Sequence, residues 1–380
     1  MDQILQWETW LLATVAIFIA AWLIQVFYMF RYFHQVGAKP KLSISDPVDW
    51  EPVSVIICAR NEEKNLMDLI PQIMDQEYPV FELVIVNDSS WDDTDAILTA
   101  FSVRYPNLKI VTLDEEKQNL QGGKKFALTL GIKAAKYNVL LLTDADCMPK
   151  SDQWIRHMIR PMQEDTEISL GFSPYRKYAG WLNKLIRFDT LMVGLSYLGF
   201  AKAGLPYMGV GRNLAYKKDL FFKVGGFKKH YNLNSGDDDL FINEVANSNN
   251  TRIVFNPESQ TESEPHTTWS KWFTQKRRHL STSPRYKSIH KNLLALWPFT
   301  YLVMLASYGI ACGFHTGVLL VSSLLFVRYV IQIAILHNSS KKLGQAQDVV
   351  WLSPFLELHL FLMNVGLYFS NLVRRPQKWN

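Results

Sequence analysis

From Trp10 to Phe30 the chain runs without a charged side chain. A backbone in hydrocarbon must satisfy every N–H and C=O internally, which a helix does and an irregular segment does not. The run matches the roughly 20 apolar residues that a helix needs to cross a bilayer, and it predicts a spanning helix within residues 1–35. A cleaved signal peptide is disfavoured, because the leading residues include Asp2 and Glu8 rather than a basic cluster and no small-residue cleavage site follows. Arg31, Lys39 and Lys41 come next. Cations mark the cytoplasmic side, so the N-terminus is expected outside and residue 31 onward in the cytoplasm.

Three more apolar blocks, Leu293–Ile310, Val318–Leu336 and Val349–Val373, make up a C-terminal membrane region over 290–373, of two to three helices. Arg285, Lys287 and Lys291 precede the first, and Lys341 and Lys342 follow the second, so both ends of this hairpin read as cytoplasmic. The third block contains Pro354, Glu357 and His359. If it spans, the tail Arg374-Arg375-Pro376-Gln377-Lys378 lies outside, against the charge rule; spanning, interfacial and re-entrant arrangements stay open. Glu357 and His359 either line an acceptor path or serve helix packing.

Residues 45–285 read as a water-soluble α/β domain. The net charge of +5 implies no nucleic-acid partner. Cys58, Cys147 and Cys312 have no Cys-x-x-Cys spacing and read as small buried hydrophobes in a reducing compartment. Apolar strands are predicted at Pro52–Ala59, Phe81–Val86, Leu108–Leu113 and Val139–Thr143. Helices are expected to open at Arg60–Leu66, Asp95–Phe101 and Gly122–Lys125. Strands apolar throughout, alternating with helices, indicate a mainly parallel sheet covered on both faces, with ligands beyond the carboxyl ends of its strands.

The polar clusters fall at those ends. Asp144-Ala145-Asp146 follows the fourth strand, with Cys147-Met148-Pro149 to stop it. Two carboxylates on one side suit a divalent cation held against phosphates. Asp88 ends the second strand, where a carboxylate can accept hydrogen bonds from a base or ribose; Asp92 and Thr94 beside it suit a helix cap. Gly123-Lys124 opens a helix whose free N–H groups, with a lysine, suit phosphate. Asp237-Asp238-Asp239 after Gly236 exceeds what a helix cap needs, and one of the three can act as a general base. Gln275–His279, after Trp269, Trp272 and Phe273, reads as an interfacial helix near 266–282 with aromatics at lipid depth; an arginine there can also stabilise a departing diphosphate. Gly209–Tyr216 forms either a flat floor under an acceptor or a tight turn.

Taken in order, Val55–Glu62, Asn87-Asp88-Ser89-Ser90, Gly123-Lys124, Asp144-Ala145-Asp146, Asp237-x-Asp239-Leu240 and Gln275-x-x-Arg278 resemble the membrane-integral branch of the family 2 inverting glycosyltransferases. The likeness covers about residues 50–280. It implies a GT-A fold, Rossmann-like with a mainly parallel sheet, as a cytoplasmic domain carried by α-helical transmembrane segments. It also implies nucleotide-sugar contacts at Ala59, Arg60, Glu62, Asp88, Lys124, Asp144 and Gln275. Mg2+ or Mn2+ is expected at Asp146 with Asp144. The catalytic group is Asp237, with Asp238, Asp239 and Arg278, and Asp237 aligns with the base. The family often has a glutamate where Gly236 stands and a tryptophan where His279 stands; the missing tryptophan, with a short chain and few membrane segments, speaks against processive synthesis.

The expectation is therefore an integral protein of the plasma (inner) membrane. It would move one sugar from a UDP-sugar to a lipid-linked or membrane-proximal glycan acceptor. The alternatives are a processive polysaccharide synthase, a non-catalytic nucleotide-sugar-binding module tethered to the membrane, and a nucleotidylyltransferase, the last disfavoured by the missing triphosphate loop.

Overall fold

All four predicted strands form, and they lie side by side. In the computed structural model, which describes residues 2–38, 49–113, 123–162, 165–233 and 235–373, β1 (Val53–Ala59), β2 (Phe81–Asp88), β3 (Leu108–Leu113) and β4 (Val139–Leu142) are parallel, in the order β3-β2-β1-β4. Their registers run from Val53↔Phe81 to Ala59↔Asn87 and from Val53↔Val139 to Ile56↔Leu142. Ala59, Asp88 and Asp144 therefore reach the same edge of the sheet.

The chain then adds β5 (Cys147–Pro149), β6 (Ile168–Leu170), β7 (Leu214–Lys217), β8 (Thr251–Ile253) and β9 (Thr261–Ser263). The seven-stranded sheet continues β4-β7-β6-β8, with β7 antiparallel to β4 and to β6. Cys147-Met148-Pro149 is not a stop, as the sequence suggested. Past the Asp144–Asp146 turn the backbone extends again and pairs as β5 with β9, Cys147 opposite Ser263. Pro149 sits at the end of that pairing, where its missing N–H is least costly.

The principal helices are α1 (Asp2–Tyr28), α2 (Glu63–Met74), α3 (Thr94–Arg104), α4 (Lys124–Ala134), α5 (Trp181–Lys202), α6 (Asp239–Val245), α7 (Trp269–Leu280), α8 (Ser288–Gly313), α9 (Val318–Lys342) and α10 (Ser353–Val373). α2 buries Leu66, Leu69, Ile70 and Ile73, one stripe at helical spacing, against the sheet. It starts at Glu63 rather than Arg60 because Asn61 takes φ 58°. Around it, Asn61 N–H donates to Ser90 Oγ and Glu62 N–H to Thr94 Oγ1, each at 3.0 Å. This ties the β1–α2 turn to the β2–α3 turn.

Among the described residues three helices are long and apolar enough to cross a membrane: Thr9–Gly37, Ser288–Gly313 and Val318–Lys342. α1 passes into the last part of the first through a π-turn at Met29–Phe33. Gly199 of α5 abuts the Tyr32 carbonyl, leaving no room for a Cβ. The neighbouring rings of Tyr32 and Phe200 stack at 3.8 Å, fastening the first membrane helix to the α/β domain. The third apolar block forms α10, which is not one of these three. Lys39, Lys41, Gly122 and the 374–378 tail lie outside the described residues.

Candidate active site

β4 ends at Leu142. Thr143 then donates its hydroxyl to the Arg212 carbonyl at 2.9 Å, turning the chain so that Asp144 and Asp146 emerge beyond the sheet. Ligand atoms of Asp144, Asp146 and Cys147 lie within 4.8 Å of one another. The cysteine is an unsuitable ligand for a hard cation. It is fully buried and shares a hydrogen bond with Ser263 Oγ at 2.9 Å. Burial, with Asp146 beside it, holds the thiol far above its usual range. The two carboxylates remain. A carboxylate pair, with other positions left to phosphate oxygens and water, is the donor set that Mg2+ and Mn2+ favour.

The two aspartates are set apart electrically. Burial and the neighbouring Asp144 raise the Asp146 carboxyl above the ordinary range. Burial also works against charge on Asp144, but Lys124, Arg212 and Arg278 outweigh it and hold Asp144 low. Lys124, the first residue of α4 after Gly123 at φ 119°, is the link between motifs. Its ammonium donates to Asp144 Oδ1 at 2.6 Å and lies 3.6 Å from Asp237 Oδ2. Burial opposes that charge, yet Asp144 and Asp237 hold it well above the usual lysine range.

The acidic triplet divides its work. Gly236, at φ 102°, makes the turn into α6, and a Cβ there would meet Leu240 Cδ1 at 2.5 Å, so a glutamate at this position does not fit. Asp237 faces Lys124. Asp238 caps α6, accepting from Asp239 N–H at 2.7 Å, and also accepts from Gly211 N–H at 2.8 Å. Burial and its two acidic neighbours push its carboxyl up to about 7. Asp239 turns away, accepting from Thr282 Oγ1 and from Tyr286 Oη at 2.7 Å. It anchors the chain after α7. The mutual repulsion that the sequence poses is thus offset by a different partner for each carboxylate.

Opposite stand Arg212, stacked on Tyr175 with its guanidinium 4.4 Å from the ring centre, and Arg278, whose buried Nε has no partner among the described residues. Gln275 Nε2 donates to Tyr175 Oη at 3.2 Å. Glu62, Lys124, Asp144, Asp146, Arg212, Asp237, Gln275 and Arg278 line one cavity of about 1180 Å³, and Asp238 and Asp239 reach it as well.

Ala59, Arg60 and Asp88 do not line that cavity. Asp88 ends β2, buried to 1 % exposure, and β1 lies between it and β4. Two strand spacings, roughly 10 Å, separate it from the Asp144 strand. It shares the sheet edge but not the pocket expected of it. Asp92 is a turn residue, accepting from the N–H groups of Thr94 and Glu63. α7 also departs from expectation: Trp272, predicted at lipid depth, is 1 % exposed in the core. α7 packs inward through Lys276, bound to Asp189 of α5 at 2.8 Å, and through Arg277, bound to Asn371 of α10 at 2.9 Å. Arg212 and Tyr175 were not foreseen. The only sequence signal was an arginine directly after Gly209-Val210-Gly211.

The family model described as "Glycosyl transferase family 2" matches residues 54–225, and that described as "Glycosyl transferase family group 2" matches 153–363, more than half of the chain. The chain is a family 2 glycosyltransferase.

This glycosyltransferase is 27 % identical over 236 residues to a probable glycosyltransferase, YdaM, of Bacillus subtilis, covering 60 % of the present chain and 54 % of that protein. It is 29 % identical over 131 residues to a poly-β-1,6-N-acetyl-D-glucosamine synthase of Staphylococcus epidermidis, covering 34 % of this chain and 30 % of that one. It is also 29 % identical over 115 residues to a β-monoglucosyldiacylglycerol synthase of a Nostoc species, covering 30 % and 24 %. The chain thus spans about half the length of these relatives or less. In structure it resembles a mannosyltransferase of Pyrobaculum calidifontis solved with GDP-Man and Mn2+, with a TM-score of 0.58 at 18 % identity, over 87 % of this chain and 97 % of that one. That likeness establishes the GT-A fold of the glycosyltransferase.

Proposed function

We propose that this glycosyltransferase moves a single sugar, with inversion, from a UDP-sugar to a lipid-linked acceptor at the cytoplasmic face of the plasma (inner) membrane. The observation that carries the reading is the reach of the cavity. One end is lined by Lys124, Asp144, Asp146 and Asp237, and the other by Tyr28, Trp297, Tyr301 and Phe369, which belong to α1, α8 and α10. A donor site and a membrane-side acceptor site open into each other.

In the reaction proposed, Asp237 takes the proton of the acceptor hydroxyl. The hydroxyl oxygen forms a bond to the anomeric carbon from the face opposite the nucleotide, and the bond from that carbon to the diphosphate oxygen breaks. Lys124, Arg212 and Arg278 take up the charge that grows on the leaving diphosphate. Asp144 and Asp146 would hold Mg2+ or Mn2+, which when bound neutralises further diphosphate charge. Glu62 in the cavity, with Arg60 and Asp88 along the same sheet edge, fits the nucleoside end of a donor.

Orientation is supported by two ties between membrane helices and the domain side. Arg31 Nη2 donates to the Ala203 carbonyl at 2.9 Å and Lys342 Nζ to the Ala38 carbonyl at 2.6 Å. Single transfer is supported at the cavity's membrane end, where Glu357 is engaged by Arg328 at 2.7 Å. A processive synthase is the second reading, favoured by the name of the Staphylococcus relative.

The test uses the full chain in nanodiscs, with UDP- and GDP-sugars and lipids from the cells that make it, and products sized by mass spectrometry. One sugar per lipid is expected; long polymers overturn the reading. Asp237→Asn should lower transfer on the order of a thousandfold, the scale of a lost base, with UDP binding retained. Undiminished turnover removes Asp237 from its role.

A further inference from the structure

The cavity is larger than one donor requires. Pockets for a single small ligand run from about 300 to 1,000 Å³, and this one measures about 1180 Å³. Its surplus is the arm toward the membrane, and that arm has a side opening. Pro298 of α8 and Val365, Tyr368 and Phe369 of α10 line it, and all four are exposed. Exposure reaches 39 % at Val365, 56 % at Tyr368 and 61 % at Phe369. α8 is one of the helices able to cross a membrane, so a gap beside it faces hydrocarbon. Tyr301 and Phe361 meet edge to face at 5.3 Å, and Glu357 is bound to Arg328. The exposed wall of Pro298, Val365, Tyr368 and Phe369 offers a long apolar chain a way out of the arm.

The charges along the arm say what kind of head the chain carries. Asp237 and Asp238 are what an incoming acceptor meets at the reaction end. α7 presents two faces to the cavity, with the cations Lys271 and Arg278 on the same face as Gln275, which reaches Tyr175 on the donor side. The other face carries Trp272, Lys276 and His279. Lys276 is already neutralised by Asp189, and burial together with Arg278 lowers His279 to about 3, leaving it uncharged. On that face of α7 an anionic head would meet Lys276, which is held by Asp189, and an uncharged His279, so it would find no unmatched cation there. Asn364, on the lining of the arm, has a buried Oδ1 with no partner among the described residues. A hydroxyl satisfies such an atom; an ionised phosphate does not.

Resting on the transfer reading above, we infer that the acceptor is a neutral lipid with a hydroxyl head, which enters between α8 and α10 and leaves its acyl chains in the bilayer. The bonds made and broken are those already written: the lipid hydroxyl loses its proton to Asp237 and gains the sugar, and the nucleoside diphosphate departs.

The experiment uses the full chain in phosphatidylcholine nanodiscs with two photoreactive probes, a diacylglycerol and a polyprenyl phosphate, each bearing a diazirine in its chain. The diacylglycerol should label peptides containing Pro298 and Val365–Phe369, and excess unlabelled diacylglycerol should suppress that labelling. Val365→Trp, with its melting temperature checked in the same nanodiscs, should lower sugar transfer to diacylglycerol at least tenfold. Labelling by the polyprenyl phosphate instead, labelling on other helices, or undiminished transfer in a folded Val365→Trp each overturn the inference while leaving glycosyl transfer standing. Failure to consume any nucleotide-sugar would instead strike the transfer reading itself.

Discussion

Arg328 sits mid-way along α9, completely buried, and its guanidinium holds four membrane-region helices to one point. It donates to Glu357 of α10 twice at 2.7 Å, to Gln332 at 2.6 Å and to Gln25 of α1 at 2.8 Å. Gln25 in turn donates to the Trp297 carbonyl and to Thr300 Oγ1 of α8, each at 2.8 Å. Arg328→Met removes the cation that donates both hydrogen bonds to the Glu357 carboxylate, 7 % exposed, and Glu357→Leu leaves a buried cation facing the neutral side chains of Gln25 and Gln332. Each single change should cost about 3–5 kcal/mol, the scale of one charge left buried alone. A neutral hydrogen bond between membrane helices would cost under about 2 kcal/mol, so the size of the loss tells an ion pair from a polar contact. Arg328→Met/Glu357→Leu together replace the pair with apolar volume and should return to within roughly 1 kcal/mol of the parent. The assay is unfolding in mixed micelles titrated with SDS, followed by tryptophan fluorescence, for the parent, both single variants and the double. Single variants within about 1 kcal/mol of the parent would refute the argument, as would a double variant no better than the sum of the singles.

Gly236→Ala places a Cβ at φ 102° and 2.5 Å from Leu240 Cδ1. It should lose roughly 1–3 kcal/mol, visible as a lower melting temperature, and shift Asp237 enough to reduce transfer; a neutral outcome would mean that the turn can relax. Asp238, with its carboxyl pushed up to about 7, keeps its proton in the folded chain after the unfolded chain has released it near its ordinary value of 3.8. Its contribution to stability therefore falls as pH rises from about 4 to about 7 and is level above that. Buried histidines such as His279 and His290 act in the opposite direction, so the informative quantity is the parent-minus-Asp238→Asn difference in melting temperature, which should decline across that window. A flat difference would sink the assignment.

Local signals carried a good deal of this protein. The mostly apolar runs at 52–59, 81–86, 108–113 and 139–143 marked the parallel strands, because a strand covered on both faces is apolar along most of its length. Long apolar runs marked the membrane helices, Arg328 in the middle of α9 notwithstanding, because hydrocarbon admits little else. The acidic motifs fell at strand ends, and in a parallel sheet those ends share one edge, so Asp144, Asp146 and Lys124 could be pooled before any coordinates. Each of these inferences needs only residues near one another in the chain.

Partnership across the chain was decided by tertiary structure alone. That Lys124 joins Asp144 to Asp237, that Asp239 serves Thr282 and Tyr286, that Arg212 enters the site, and that Trp272 is core rather than lipid-facing all depend on segments brought together by packing. So does the answer to why Glu357 is tolerated in an apolar helix: its cation, Arg328, is on another helix, and neither sequence neighbourhood announces the other. Hydrophobic periodicity reports whether a side chain is buried. It is silent on what the side chain is buried against, because that depends on how separate elements dock, and the chemistry of this site lies in those contacts.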